Sequence, residues 1–162
     1  MTHYLMTAIF ALQNSAIMAA EKLPDLLETT YRSDLNLFVG RWGYQPPVEA
    51  LPHTYKQLTQ SALATGCRFW LQDIRRRTLN DPAITRWLFT EYFLDMAAQL
   101  GGRLYVAYLT SPTLLETIIN GPGYEVPDGS DNQPFAVSFF SNEGDAMEWL
   151  SQAQTRDSLM QA

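Results

Sequence analysis

One cysteine and two histidines among 162 residues leave little from which to build disulfide, redox or zinc chemistry. Cys67, standing alone, excludes an internal disulfide and a cysteine-rich zinc site, and it fits a reducing, cytoplasmic setting. His3 and His53 have no second ligand at helical or hairpin spacing, so no metal site is expected. The glycine pairs Gly101-Gly102 and Gly121-Pro122-Gly123 do not stand between a strand and a helix in the order that cradles a phosphate. They read as helix stops, and no cofactor is expected. No apolar run is long enough to span a bilayer, and neither an internal repeat nor a low-complexity tract appears.

What is present is apolar and aromatic. Hydrophobic residues make up 46% of the chain, aromatics 12% and charged residues only 17%, the composition of a globular protein with a generous core. The length suits one domain that buries its own apolar surface. The net charge of −6 is unevenly spread: residues 66–86 hold five arginines against two aspartates, whereas residues 116–162 hold eight acids against Arg156 alone. An acidic chain repels a phosphate backbone, so nucleic acid is not an expected partner.

Residues 4–12 form an apolar stretch that could be mistaken for an export signal. It has no Lys or Arg before it, Gln13 and Asn14 interrupt it, and no small residue stands where cleavage after Ala19 or Ala20 would need one. Residues 1–25 are therefore expected as an apolar extension, an amphipathic helix packed on the domain or on a second copy in a homodimer. Met18 is an alternative start that would make residues 1–17 dispensable.

Periodicity supplies the rest. Strands are expected over residues 27–32 and 35–41, joined as a hairpin near Ser33-Asp34. Val48, Leu51, Tyr55, Leu58 and Ala62 recur at helical spacing, with Pro52 tolerated in the first turn and Gly66 as the stop. A buried-type strand follows over residues 68–74. Asn80 or Asp81 then caps a helix with Pro82 in its first turn, whose stripe of Phe89, Tyr92, Phe93, Met96, Ala97 and Leu100 marks it as well buried. Residues 103–109 read as a strand from a parallel sheet interior, Ser111-Pro112 opens a short helix, and a polar loop runs to Gln133. A last strand over 135–140 leads into a helix capped by Ser141 or Asn142. Trp87 and Trp149 are expected to hold helices to the sheet. The order β-β-α-β-α-β-α-β-α predicts an α/β fold with a mainly parallel sheet, packed helices and one antiparallel hairpin strand. The domain is expected over residues 26–154, with 155–162 as a tail.

That order, together with Phe69-Trp70-Leu71-Gln72-Asp73-Ile74-Arg75, Arg86-Trp87-Leu88, Val106-Ala107-Tyr108-Leu109 and Ala146-Met147-Glu148-Trp149-Leu150, resembles the SpoIIAA-like, or STAS-like, group of small bacterial proteins over about residues 26–154. The resemblance implies a non-enzymatic switch that binds a kinase-like anti-sigma factor and is phosphorylated on a serine at the helix start after the third strand. The stretch here, residues 75–82, lacks the Asp-Ser-Ser-Gly type of motif, and Thr78 is its only hydroxyl. The fold is also similar to that of CRAL-TRIO lipid-transfer domains.

Two groups of residues could carry function. Asp73, Arg75, Arg76, Arg77, Thr78, Asn80 and Asp81 lie where a strand end meets a helix start, the usual place for a ligand or partner in α/β proteins. Asp73 has no second titrating group near it in sequence, so it is expected to pair with Arg75 or Arg77, or to accept backbone N–H groups, rather than to act as a base. The three arginines read either as a solvated face or as a site for a protein or anion. Trp70, Trp87, Phe89, Tyr92 and Phe93 could line an apolar pocket between helices and sheet, or form plain core. The reading is a non-catalytic binding or regulatory module acting through the loop at residues 75–81. The alternative is a carrier of a small apolar or lipid-like ligand.

Overall fold

The computed structural model describes residues 26–122, 124 and 133–161. The expected N-terminal helix and most of the polar loop before the last strand lie outside the described residues.

The element order is the expected one, built on a five-stranded sheet in the order β1-β2-β3-β4-β5. β1 (Leu27–Arg32) and β2 (Leu37–Trp42) pair antiparallel, while β3 (Phe69–Asp73), β4 (Leu104–Leu109) and β5 (Phe135–Phe140) extend the sheet in parallel from β2. β2 begins at Leu37 rather than at residue 35, because the hairpin needs a wider turn than Ser33-Asp34. Asn36 closes that turn in the left-handed region at φ 49°, which asparagine tolerates better than most residues.

A 3-10 turn (Val48–Ala50) leads into α1 (Leu51–Thr65), which Gly66 ends with φ 68°. The helix expected after Pro82 is one continuous rod with an irregular middle: α2 (Pro82–Trp87), a π-helical turn (Leu88–Tyr92) and α3 (Phe93–Leu100). The Phe93 N–H reaches back to the Leu88 carbonyl in the wide turn. α4 (Pro112–Asn120) is capped by Ser111, and α5 (Glu143–Met160) by Asn142. Residues 155–160, separated from the domain as a tail in the sequence reading, continue α5. There Asp157 forms a two-bond ion pair with Arg68, at 2.7 and 3.0 Å, with both side chains largely out of solvent.

Strand alternation sorts the sheet into two faces. Phe38, Trp42, Trp70 and Tyr108 lie under α1, the α2–α3 rod and α4, on the side where right-handed crossovers place connecting helices. Phe69, Tyr105 and Phe140 face α5, through Trp149 and the aromatic stacking of Phe69 on Tyr105. β3 and β4 are buried along their whole length, as strands covered on both faces must be. Trp87 and Trp149 pack against this core but are only partly buried. The carboxyl ends of β2, β3 and β4 point one way, and the loop at residues 75–81 lies there.

Candidate functional site

At the end of β3 the chain turns sharply, with the Arg77 N–H donating to the Ile74 carbonyl at 3.0 Å. This turn separates the arginine triplet. Arg75 and Arg76 stay outside, whereas Arg77 is carried back beneath the helices and is only 9% exposed.

Asp73 is the hub of the outer part. Its carboxylate accepts from Arg41 Nη1 at 2.8 Å, from Arg75 Nε and Nη2 at 3.0 and 2.8 Å, and from the Arg75 backbone N–H at 3.2 Å. Arg41, its register partner on β2, also bonds Glu143 in the first turn of α5 at 2.9 Å. Burial alone would raise the Asp73 carboxyl, but the bonds from Arg75 and Arg41 outweigh it and hold the group below the ordinary carboxylate range. A carboxylate so saturated by donors is a poor proton acceptor. Glu28, Arg41, Asp73, Arg75 and Arg76 line a groove of about 650 Å³.

The loop beyond is exposed but held. The backbone N–H groups of Thr78 and Leu79 both donate to Gln45 Oε1, at 2.8 and 3.0 Å. Thr78 is exposed, and Leu79 is 67% exposed. Among the described residues, Arg76 reaches only the Gly43 carbonyl, at 3.5 Å. Asp81 is the helix cap, accepting from the Ala83 N–H, while Asn80 Oδ1 accepts from the Thr85 hydroxyl at 2.6 Å.

Arg77 enters a second, mostly apolar cleft on the opposite sheet face, walled by Tyr55, Ile84, Leu88, Phe89, Tyr108 and Phe139 among others. Its guanidinium lies 5.2 Å from the centre of the Trp42 ring. Of the five aromatics expected to line a pocket, Phe89 does so. Trp70 packs on Phe38 and donates to the Cys67 carbonyl. Trp87 sits against Tyr55 and Tyr92, and Phe93 against Tyr108 and Phe135. The Tyr92 hydroxyl is tied to Thr59 at 2.8 Å.

Arg41, Glu143 and Gln45 were not singled out from the sequence. Alternation along β2 could have placed Arg41 beside Asp73, but no local signal brings residue 143 or residue 45 to this end. His53 is exposed, and Cys67 is buried, its thiol pushed up by that burial. Among the described residues no cluster of His, Cys, Asp and Glu could hold a metal ion, and no helix is long and apolar enough to cross a membrane. Comparison of the chain with models of protein families, with curated proteins and with solved structures gives no match.

Proposed function

We propose that this protein is a non-catalytic binding module of the STAS-like kind, which docks a protein partner on the loop at residues 75–81 and the groove beside it. The observation that carries this reading is that Arg76 and Leu79 are both exposed on a loop whose backbone Gln45 fixes. A guanidinium in no ion pair among the described residues, on the same loop as a bare leucine, suits an interface, because arginine is enriched among the residues that dominate binding energy and the leucine adds apolar surface to bury. Fixing the loop in advance lowers the entropy cost of docking. The commitment of Asp73 to two arginines supports a role in shaping this surface rather than in chemistry.

The fitting partner presents a carboxylate beside an apolar side chain. Quantitative pull-downs at low and high salt with wild type, Arg76→Glu and Leu79→Asp test the reading. A partner should be captured by wild type, released by salt and lost with both variants, while their melting curves match that of wild type. Identical capture by all three proteins would overturn it.

A further inference from the structure

We propose that β1 pairs edge to edge with β1 of a second copy of this chain, joining the two sheets into one across a two-fold axis at Thr30.

The argument begins with an open edge. β1 is an outer strand of the sheet, and among the described residues no strand pairs with its far side. The Gly43 N–H donates to the Leu26 carbonyl at 2.8 Å, which fixes the alternation of the antiparallel ladder. Residues 28, 30 and 32 therefore bond to β2, and Leu27, Thr29 and Tyr31 turn their backbone groups outward. The Leu27 carbonyl accordingly accepts from the Gln57 side chain, at 3.5 Å. Thr29 and Tyr31 still offer both N–H and C=O groups. Nothing in the strand blunts this edge: its register with β2 runs without a bulge, and Leu-Glu-Thr-Thr-Tyr-Arg holds neither proline nor lysine.

The strand is also complementary to itself. A two-fold ladder must set outward residues against outward residues. Centred on Thr30, it opposes Thr29 to Tyr31 of the second copy, Glu28 to Arg32, and Thr30 to itself. A β-branched residue on an aromatic, a carboxylate on a guanidinium and threonine on threonine all stabilise neighbouring strands. Glu28 is in none of the ion pairs of the described residues, and Arg32 is held only by Asp34 of its own turn, with side-chain exposures of 51% and 61%. Both charges are therefore available. Moving the centre to Thr29 sets Glu28 against Thr30, and moving it to Tyr31 brings Glu28 towards Asp34, so charge selects the register centred on Thr30. The opposite edge strand, β5, has no charged residue to make such a choice. Glu28 also lines the groove beside the docking loop, so the two surfaces meet at that residue, but none of residues 75–81 belongs to β1.

The test is analytical ultracentrifugation of the full chain over a concentration series. Wild type should pass from monomer to dimer, and Glu28→Arg and Arg32→Glu should each weaken the dimer about tenfold or more by setting like charges together. Combining the two restores opposite charges in the same register and should recover most of the affinity. Thr29→Pro removes an outward N–H and spares the bonds to β2, so it should melt as wild type does yet stay monomeric. The charge swap decides the matter even if that variant fails to fold. Register is read from Thr30→Cys, which would face its own copy at about 4.5 Å between Cα atoms, within disulfide reach. Mild oxidation should link that variant and should not link Arg32→Cys, and the buried Cys67 should leave wild type unlinked. A wild type that stays monomeric throughout, or a charge swap that restores nothing, would overturn the proposal. A dimer indifferent to both single reversals would overturn it as well, by placing the contact elsewhere, as in residues 1–25.

Discussion

Gly40 on β2 lies directly against the side-chain amide of Gln72 on β3: a methyl group at Gly40 would stand 2.6 Å from Oε1 and 2.8 Å from Nε2. The missing side chain is the space in which the Gln72 amide lies, and from there it reaches the Trp42 indole.

Gly40→Ala should therefore cost about 1–3 kcal/mol through overpacking. Because the obstruction is a side chain and not backbone, adding Gln72→Ala should recover part of the loss. A double-mutant cycle by urea denaturation should show coupling of at least about 0.5 kcal/mol. Additive losses would mean that the two residues do not share this space.

Arg68 and Asp157 join the start of β3 to the last turns of α5, with side-chain exposures of 15% and 13%. Arg68 also donates to the Arg103 carbonyl at 2.8 Å. Asp157→Asn should lower stability by about 1–3 kcal/mol, since it leaves a charged donor without its partner. Ending the chain at residue 154 should cost at least as much. Urea melts that leave the truncated protein as stable as wild type would show that the end of α5 contributes nothing.

The Asp73 carboxyl is held below its ordinary range by Arg75 and Arg41. Its stabilising effect is therefore complete above the unfolded carboxylate value of about 3.9 and disappears as pH falls through the lower folded value. Arg41 and Arg75 are nearly half exposed, which limits the effect to about 1 kcal/mol. Comparing wild type with Asp73→Asn in melts at neutral pH and below about pH 3 checks this: the gap between them should narrow in acid.

The tryptophans should rank by burial. Trp70, 1% exposed, fills the sheet face beside Phe38, and Trp70→Ala should cost about 3–5 kcal/mol. Trp87→Ala and Trp149→Ala should each cost less, about 2 kcal/mol, because part of each ring stays in water. Equal losses at all three positions would show that packing around Trp87 and Trp149 matters more than the area they bury.

The sheet was legible in the sequence because its signals are local: β-branched and aromatic runs, Gly66 and Gly101 as helix stops, and Pro82 and Pro112 as first-turn residues. Asp73 was legible as an ion-pair centre because Arg75 lies two residues away. The fate of Arg77 was not. Three adjacent arginines look equivalent in one dimension, and only the turn from Ile74 to Arg77 and the proximity of Trp42 send the third beneath the helices. The π-helical turn was hidden for a related reason, since periodicity across residues 82–100 fits a plain helix nearly as well. The cleft draws on residues from α1, α2, β4, α4 and β5, and no single window of sequence holds them.

The order β1-β2-β3-β4-β5 in space repeats the order in the chain. A ribosome would release these strands in the sequence in which they pair, so each finds its neighbour's free edge already formed, and none must be threaded between two earlier strands. Every pairing closes a loop of only one hairpin or one crossover, which keeps the entropy of closure small for a parallel sheet. The helix that covers the second face, α5, emerges after all five strands. Until it docks, Phe69, Tyr105 and Phe140 form a bare apolar surface on a nearly complete sheet. That interval is when the nascent protein is most exposed to aggregation, and the Arg68–Asp157 pair is among the contacts that bring it to an end.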